Sequence, residues 1–283
     1  MNYALDALWW KLRQQNVRDL ASVLTAPPLW NSACELPVSI LLGDTGFRYL
    51  LALDEQPESL LNYLKPLYPY QYRLGIYAEH LLAFWFSHSP HWSLLAHNCV
   101  VMHNNQTAGA LDFIAQTKNV THSETYHVEM ACKYYFSTQQ PATEASFLGF
   151  NQNDTLLKKV NKLTSQIALP IPENLSLSEK NVIRATLIRG NAFSLSESLA
   201  QASMLNPYAW AGKVRTHDDL CENGQDERFF LIKPLFRLSP VRQTQENCLT
   251  VHELKQLTAP AIIARVEVRY DGFWHEAERF VLL

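Results

Sequence analysis

The chain has 283 residues, 47% of them hydrophobic and 11% aromatic, enough to fill a sizeable core and to exclude a disordered chain. A formal charge of −3 excludes a protein that coats nucleic acid through a general positive field, so any DNA contact has to be a local patch. The cysteines Cys34, Cys99, Cys132, Cys221 and Cys248 show no CxxC or zinc-like spacing, the N-terminus has no secretory pattern, and no apolar run is long enough to span a bilayer. A soluble cytoplasmic protein with reduced thiols and no membrane contact is expected.

In chain order, residues 4–24 read as a helix with Leu8, Leu12, Leu20 and Leu24 on its apolar side, ended by Ala26-Pro27-Pro28. Trp9 and Trp10 read as packing anchors within it. A further helix is expected over 58–64, and Pro66 and Pro69 mark a loop, so 1–70 reads as an N-terminal helical extension. The run RLGIYAEHLLAFWF (73–86) carries apolar residues at Leu74, Ala78, Leu81, Leu82 and Trp85, the spacing of an amphipathic helix, with Glu79 at the edge of the stripe.

Two strand-like runs follow, 92–102 and 107–116, joined by the polar turn His103-Asn104-Asn105-Gln106. Asp112 is therefore mid-strand, between Leu111 and Phe113. A third run, ETYHVEMACKYYF (124–136), alternates, so that His127, Glu129, Ala131 and Lys133 share one face and Val128, Met130, Cys132 and Tyr134 the other. His127 reads first as a strand residue hydrogen-bonded to a neighbour; a role as acid, base or extra ligand is the alternative.

After a loop over 137–149, Asn153 or Asp154 is expected to cap a helix whose apolar stripe is Leu156, Val160, Leu163 and Ile167. Lys158, Lys162 and Gln166 fall at i, i+4 and i+8 on another face, which reads first as a solvated lysine face. Pro170-Ile171-Pro172 ends this helix and marks a lobe boundary. Beyond it, 181–195 and 228–238 read as strands, 205–220 as a loop-rich connection, and 260–283 as a hairpin turning at Asp271-Gly272. A second, largely antiparallel sheet is expected there. Trp210, Lys213, Arg215, Arg237 and Arg242 would form a basic, aromatic surface only if the fold gathered them. Signatures for nucleotide-binding loops and serine hydrolases are absent from the sequence.

Carboxylates beside apolar neighbours cost several kcal/mol to bury unless something pairs them. A divalent cation is the natural partner, since Mg²⁺ takes oxygen ligands and keeps several waters. Together with a lysine, such a group suits phosphodiester hydrolysis.

The order of helix acid, hairpin Asp, and strand carrying Glu129 and Lys133 resembles the core of the PD-(D/E)XK nuclease superfamily, over residues 71–170. The segments GALDFIA, HVEMACKYYF and FLGFNQNDTLLKKVNKLTSQIALP are similar to a bacterial family of unknown function, number 1853, over most of the chain. The resemblance implies an α+β protein with an α/β, restriction-endonuclease-like core of helix, mixed sheet and flanking helix over 71–170. The helical extension over 1–70 would precede it and a β-rich lobe over 171–283 would follow. It implies a Mg²⁺- or Mn²⁺-dependent nuclease or phosphodiesterase acting on DNA. Asp112 and Glu129 would hold metal, Glu79 would bind it through water, and Lys133 would position the attacking hydroxide. The helix bearing Lys158, Lys162 and Gln166 would border the site and could hold a phosphate backbone. Ala131 stands where the superfamily places its second acid, two residues before the lysine. The alternative is accordingly a non-cutting version of the same core, serving as a nucleic-acid or protein interaction module.

Overall fold

The computed structural model describes residues 11–67, 73–103, 106–118, 123–150, 153–195, 204–222, 224, 226–257 and 260–283. The chain forms seven described α-helices and ten strands, with antiparallel and parallel pairing mixed, an α+β fold as expected. It divides into two compact units, Met1–Cys132 with Lys158–Arg189, and Lys133–Leu157 with Gly190–Leu283. The expected boundary at Pro170-Ile171-Pro172 lies inside the first unit, and the N-terminal helices belong to that unit instead of forming a separate extension.

In the first unit, α1 (Gln15–Thr25), α2 (Val38–Leu42), α3 (Gly46–Glu55) and α4 (Glu58–Leu64) precede the long helix α5 (Leu74–His88). Within the expected helix over 4–24, Lys11 is helical but the chain breaks for three residues before α1. Leu12, Arg13 and Gln14 are not helical, and the side chain of Asp54 accepts the backbone N–H of Arg13 and of Gln14 at 2.8–2.9 Å. A carboxylate from α3 thus satisfies donors just before the first turn of α1, where Gln14 itself supplies no side-chain cap. Leu8, Trp9, Trp10, Pro69 and the Asn104-Asn105 turn lie outside the described residues.

Helix α5 is buried from Leu81 through Phe86 without interruption, so this part is apolar on all sides and not on one stripe as the spacing predicts. Its indole Trp85 Nε1 and that of Trp92 both donate to the Leu41 carbonyl at 2.9 Å, so one acceptor satisfies two buried donors. At the other end of α1, the buried Arg189 donates from Nε to Val23 O at 2.7 Å and from NH1 to Glu35 at 2.6 Å, so a cation meets the carbonyl end of the helix.

The sheet of this unit runs β1 (Trp92–His103), β2 (Gln106–Thr117), β3 (Thr125–Ser137) and β5 (Val182–Ser194) in the order β1-β2-β3-β5. Strands β1 and β2 form the expected hairpin, and β2 pairs antiparallel with β3 from Gln116↔Thr125 to Phe113↔Val128. Phe86 of α5 packs on Trp92 and Phe113, with ring centroids 4.9 and 5.6 Å away, and so seats the helix on β1 and β2.

Strands β3 and β5 each begin in the first unit and end in the second. There, β4 (Leu148–Gly149) pairs with β3, and the helix α6 (Leu156–Ile167) begins. Gly190 of β5 has φ +137°, and a Cβ there would lie 1.6 Å from the Lys133 carbonyl, so only glycine lets the two backbones pass this closely. The remaining strands are β6 (Trp210–Arg215), β7 (Arg228–Leu231), β8 (Arg242–Gln243), β9 (Ala261–Val268) and β10 (Trp274–Leu282), with the short helix α7 (Val251–Leu254) between β8 and β9. The β9–β10 hairpin turns at Asp271-Gly272 as expected.

Two differences stand out. The stretch 205–220, expected as a connection, contains β6, and β6 pairs parallel with both β5 and β10. The expected largely antiparallel sheet is therefore mixed. Ala211-Gly212-Lys213 has weak strand propensity, and its pairing comes from neighbours distant in sequence.

A buried carboxylate cluster

Glu79 on α5, Asp112 on β2 and Glu129 on β3 converge. Where the β2–β3 ladder would continue past Phe113↔Val128, side chains replace backbone acceptors. The Asp112 N–H donates to Glu129 Oε1 at 3.1 Å, and the Met130 N–H donates to Asp112 Oδ2 at 2.8 Å. Each carboxylate thus turns toward the other strand.

Burial pushes all three groups up to about 7: Glu79, Asp112 and Glu129. Like charge adds to this in Glu79, from Asp112, and in Asp112, from Glu129. Hydrogen bonds from Asp112 hold Glu129 back. Lys159 pulls all three down.

Glu129 is completely buried. Its Oε1 also receives His127 Nε2 at 2.7 Å, and Arg184 NH1 lies 2.6 Å from His127 Nδ1. Burial, and then Arg184, hold His127 down at about 4. The other oxygen, Glu129 Oε2, is buried and accepts no hydrogen bond. An ionised oxygen without a partner is among the most costly groups a core can hold.

The four residues expected to act together are not all gathered. Lys133 belongs to the second unit, where its Nζ is bound by Asp154 Oδ2 at 2.5 Å. The amine that bears on the carboxylates is Lys159, which the sequence reading passed over. A signal for it exists: Leu156, Lys159 and Leu163 are spaced i, i+3 and i+7, which puts a lysine on the apolar side of α6. Lys158 and Lys162 are exposed and Gln166 is half-buried. Arg184 was also missed, and nothing in its strand pattern distinguishes it. Of the basic residues considered for a surface, Arg215 pairs with Glu278 at 2.8 Å, and Arg242 pairs with Asp271 and lies 3.4 Å from the centroid of the Phe273 ring.

The donors are all carboxylate oxygens, which suits a hard divalent cation, and the bare Glu129 Oε2 marks where positive charge is missing. Among the described residues, no three His, Cys, Asp or Glu side chains are spaced to enclose an ion by themselves. Mg²⁺ is commonly held by only one or two carboxylates, with water and substrate phosphate completing its shell, so Asp112 and Glu129 fit it.

Fold and site together define an α+β protein with an acidic centre on a helix and two strands, in which Glu129 is buried and Glu79 and Asp112 are half-buried. The chain belongs to the family described as Domain of unknown function (DUF1853), whose profile matches residues 18–283. Comparison with curated proteins and with solved structures gave no significant match. Among the described residues, no helix is long and apolar enough to cross a membrane.

Proposed function

We propose that this protein is a Mg²⁺- or Mn²⁺-dependent phosphodiester hydrolase of the PD-(D/E)XK nuclease type, acting on DNA. The observation that carries this reading is a fully buried glutamate with one bare oxygen, tied through its other oxygen to the backbone of an aspartate, with Lys159 acting on both carboxyls. Asp112 and Glu129 would hold the cation, and Glu79 would contact it through water. When bound, the cation makes a water easier to deprotonate and offsets charge on the phosphate.

The chain's own residues do the rest. Lys159, in place of Lys133, supplies the amine that stabilises the extra negative charge of the pentavalent phosphate. Glu79, with its carboxyl raised to about 7, can accept or release a proton near neutral pH. The exposed Lys158 and Lys162, with Gln166, offer the phosphate backbone a local contact that the overall charge of −3 does not. A cytoplasmic location belongs to the same reading and is supported by cysteines Cys34, Cys99, Cys132 and Cys248, none of which forms a disulfide.

Purified protein incubated with plasmid and linear DNA should cut it only with Mg²⁺ or Mn²⁺ present, and Asp112→Asn or Glu129→Gln should abolish cutting. Full activity in either variant rejects the assignment. A second reading, a non-cutting interaction module, is favoured by Ala131 and by the capture of Lys133 by Asp154. It would be upheld by DNA binding without any calorimetric Mn²⁺ binding.

A further inference from the structure

We propose that His127 is a positioning residue for Glu129, and that Arg184 sets its tautomer so that Glu129 Oε1 is tied back and Oε2 is left to meet a cation. The role rests on the reading of the carboxylate cluster as a cation site.

The geometry leaves little freedom. An arginine NH1 can only donate, so at 2.6 Å His127 Nδ1 has to be the acceptor and carries no proton. The ring proton is then on Nε2, which faces Glu129 Oε1 at 2.7 Å and donates to it. A ring protonated on both nitrogens would set two donors against each other at the Arg184 contact, so the arrangement requires a neutral imidazole. Arg184 is itself held by Glu179, 3.5 Å from its NH2, and Glu179 Oε1 also accepts the Ile171 N–H at 2.9 Å. A chain of contacts thus runs from the half-exposed Glu179 to the fully buried Glu129, all within the first unit.

The consequence concerns the two oxygens of Glu129. Oε1 accepts from His127 and from the Asp112 N–H, whereas Oε2 is buried with no partner. Two donors on one oxygen fix the plane of the carboxylate, and they withdraw that oxygen from competition for a cation. Without the imidazole, Glu129 could rotate and satisfy Oε2 elsewhere. With the opposite tautomer, a bare Nε2 would face Oε1 and repel it. Orientation of ligands by such outer partners typically changes metal affinity 10- to 100-fold.

The test has two parts. Nitrogen-15 spectra of the imidazoles in the metal-free protein should show His127 as the neutral form protonated on Nε2, and Arg184→Met should convert it to a mixture of tautomers. Calorimetric titration with Mn²⁺ should then show about 10- to 100-fold weaker binding in His127→Leu. It should show near wild-type binding in His127→Gln, whose amide N–H replaces the Nε2 donor, a rescue that a merely space-filling role would not give. A wild-type His127 protonated on Nδ1, or undiminished Mn²⁺ binding in His127→Leu, overturns the positioning role alone. If His127→Leu does not fold, Arg184→Met decides in its place: undiminished Mn²⁺ affinity overturns the role, and a loss supports it. Absence of Mn²⁺ binding in the wild type overturns the cation reading and this role together.

Discussion

Each unit buries a cluster of charged groups, and the two are built on opposite principles. In the second unit, Arg279 is 5% exposed and uses all of its N–H donors. Nε and NH2 grip the two oxygens of Glu276 at 2.9 and 2.8 Å, while NH1 and NH2 also reach Asn191 Oδ1 and the carbonyls of Arg237 and Ser239 at 2.8–3.2 Å. Glu276 Oε2 in turn accepts the Val241 N–H. Donors and acceptors match, as in a network that serves the fold. In the first unit, Lys159 acts on three carboxyls, Arg184 adds to it only at Glu129, and one buried oxygen has no hydrogen-bond partner. A balanced buried network explains itself; the unbalanced one is what the proposed cation would complete.

The sharpest way to break this contrast is to unbalance the balanced side. Arg279→Met would leave Glu276 buried without its cation and should lower unfolding stability by about 4 kcal/mol in urea titrations. A near-neutral result would show that the network contributes little.

On the other side, Lys159→Met should slow metal-dependent DNA cleavage by roughly 100- to 1,000-fold, the size of losing one preorganised charge at a reacting phosphate. Lys133→Met should leave the cleavage rate as it was and act instead through the loss of its Asp154 partner. Rates measured side by side at saturating Mn²⁺ would decide which lysine belongs to the chemistry.

A smaller effect lies in pH. The cluster carboxyls rise from ordinary carboxylate values to about 7 in the folded protein, so the folded state holds their protons more tightly than the unfolded chain. Their contribution to stability is fully present below about pH 4 and is lost as pH rises through about 7. His127 acts in the opposite sense, because its folded value of about 4 lies below the ordinary 6.5, but its effect is complete by about pH 6.5. Between pH 6.5 and 8.5 the metal-free protein should therefore lose about 2 kcal/mol, seen as a falling melting temperature. Added Mn²⁺ should restore it, and Asp112→Asn should flatten the slope. The smallest expected effect is Asp54→Ala, which removes the acceptor before α1 and should cost about 1 kcal/mol.

Much of this was legible in the chain. The helix at 58–64, the β1–β2 hairpin, the alternation of β3 and the Asp271-Gly272 turn all follow from local rules: apolar spacing, turn residues and the period of the element. The grouping of Glu79, Asp112 and Glu129 could be anticipated because a strand has only two faces and a hairpin sets its own register. What failed were the readings that depended on distant partners. The start of α1 is set by Asp54, some forty residues on, and β6 is a strand because β5 and β10 flank it.

By itself the sequence determined which short segments are helices and strands and which acids lie on inward faces, because those properties are fixed by periods of two and 3.6 residues. Only the tertiary structure decided which cation each acid meets. Lys133 shares a strand with Glu129 yet is bound to Asp154, whereas Lys159, thirty residues further along, bears on all three carboxyls, and Arg184 reaches Glu129 through His127. Charge pairing depends on distances of a few ångströms between groups that chain spacing leaves unconstrained, and folding alone sets those distances.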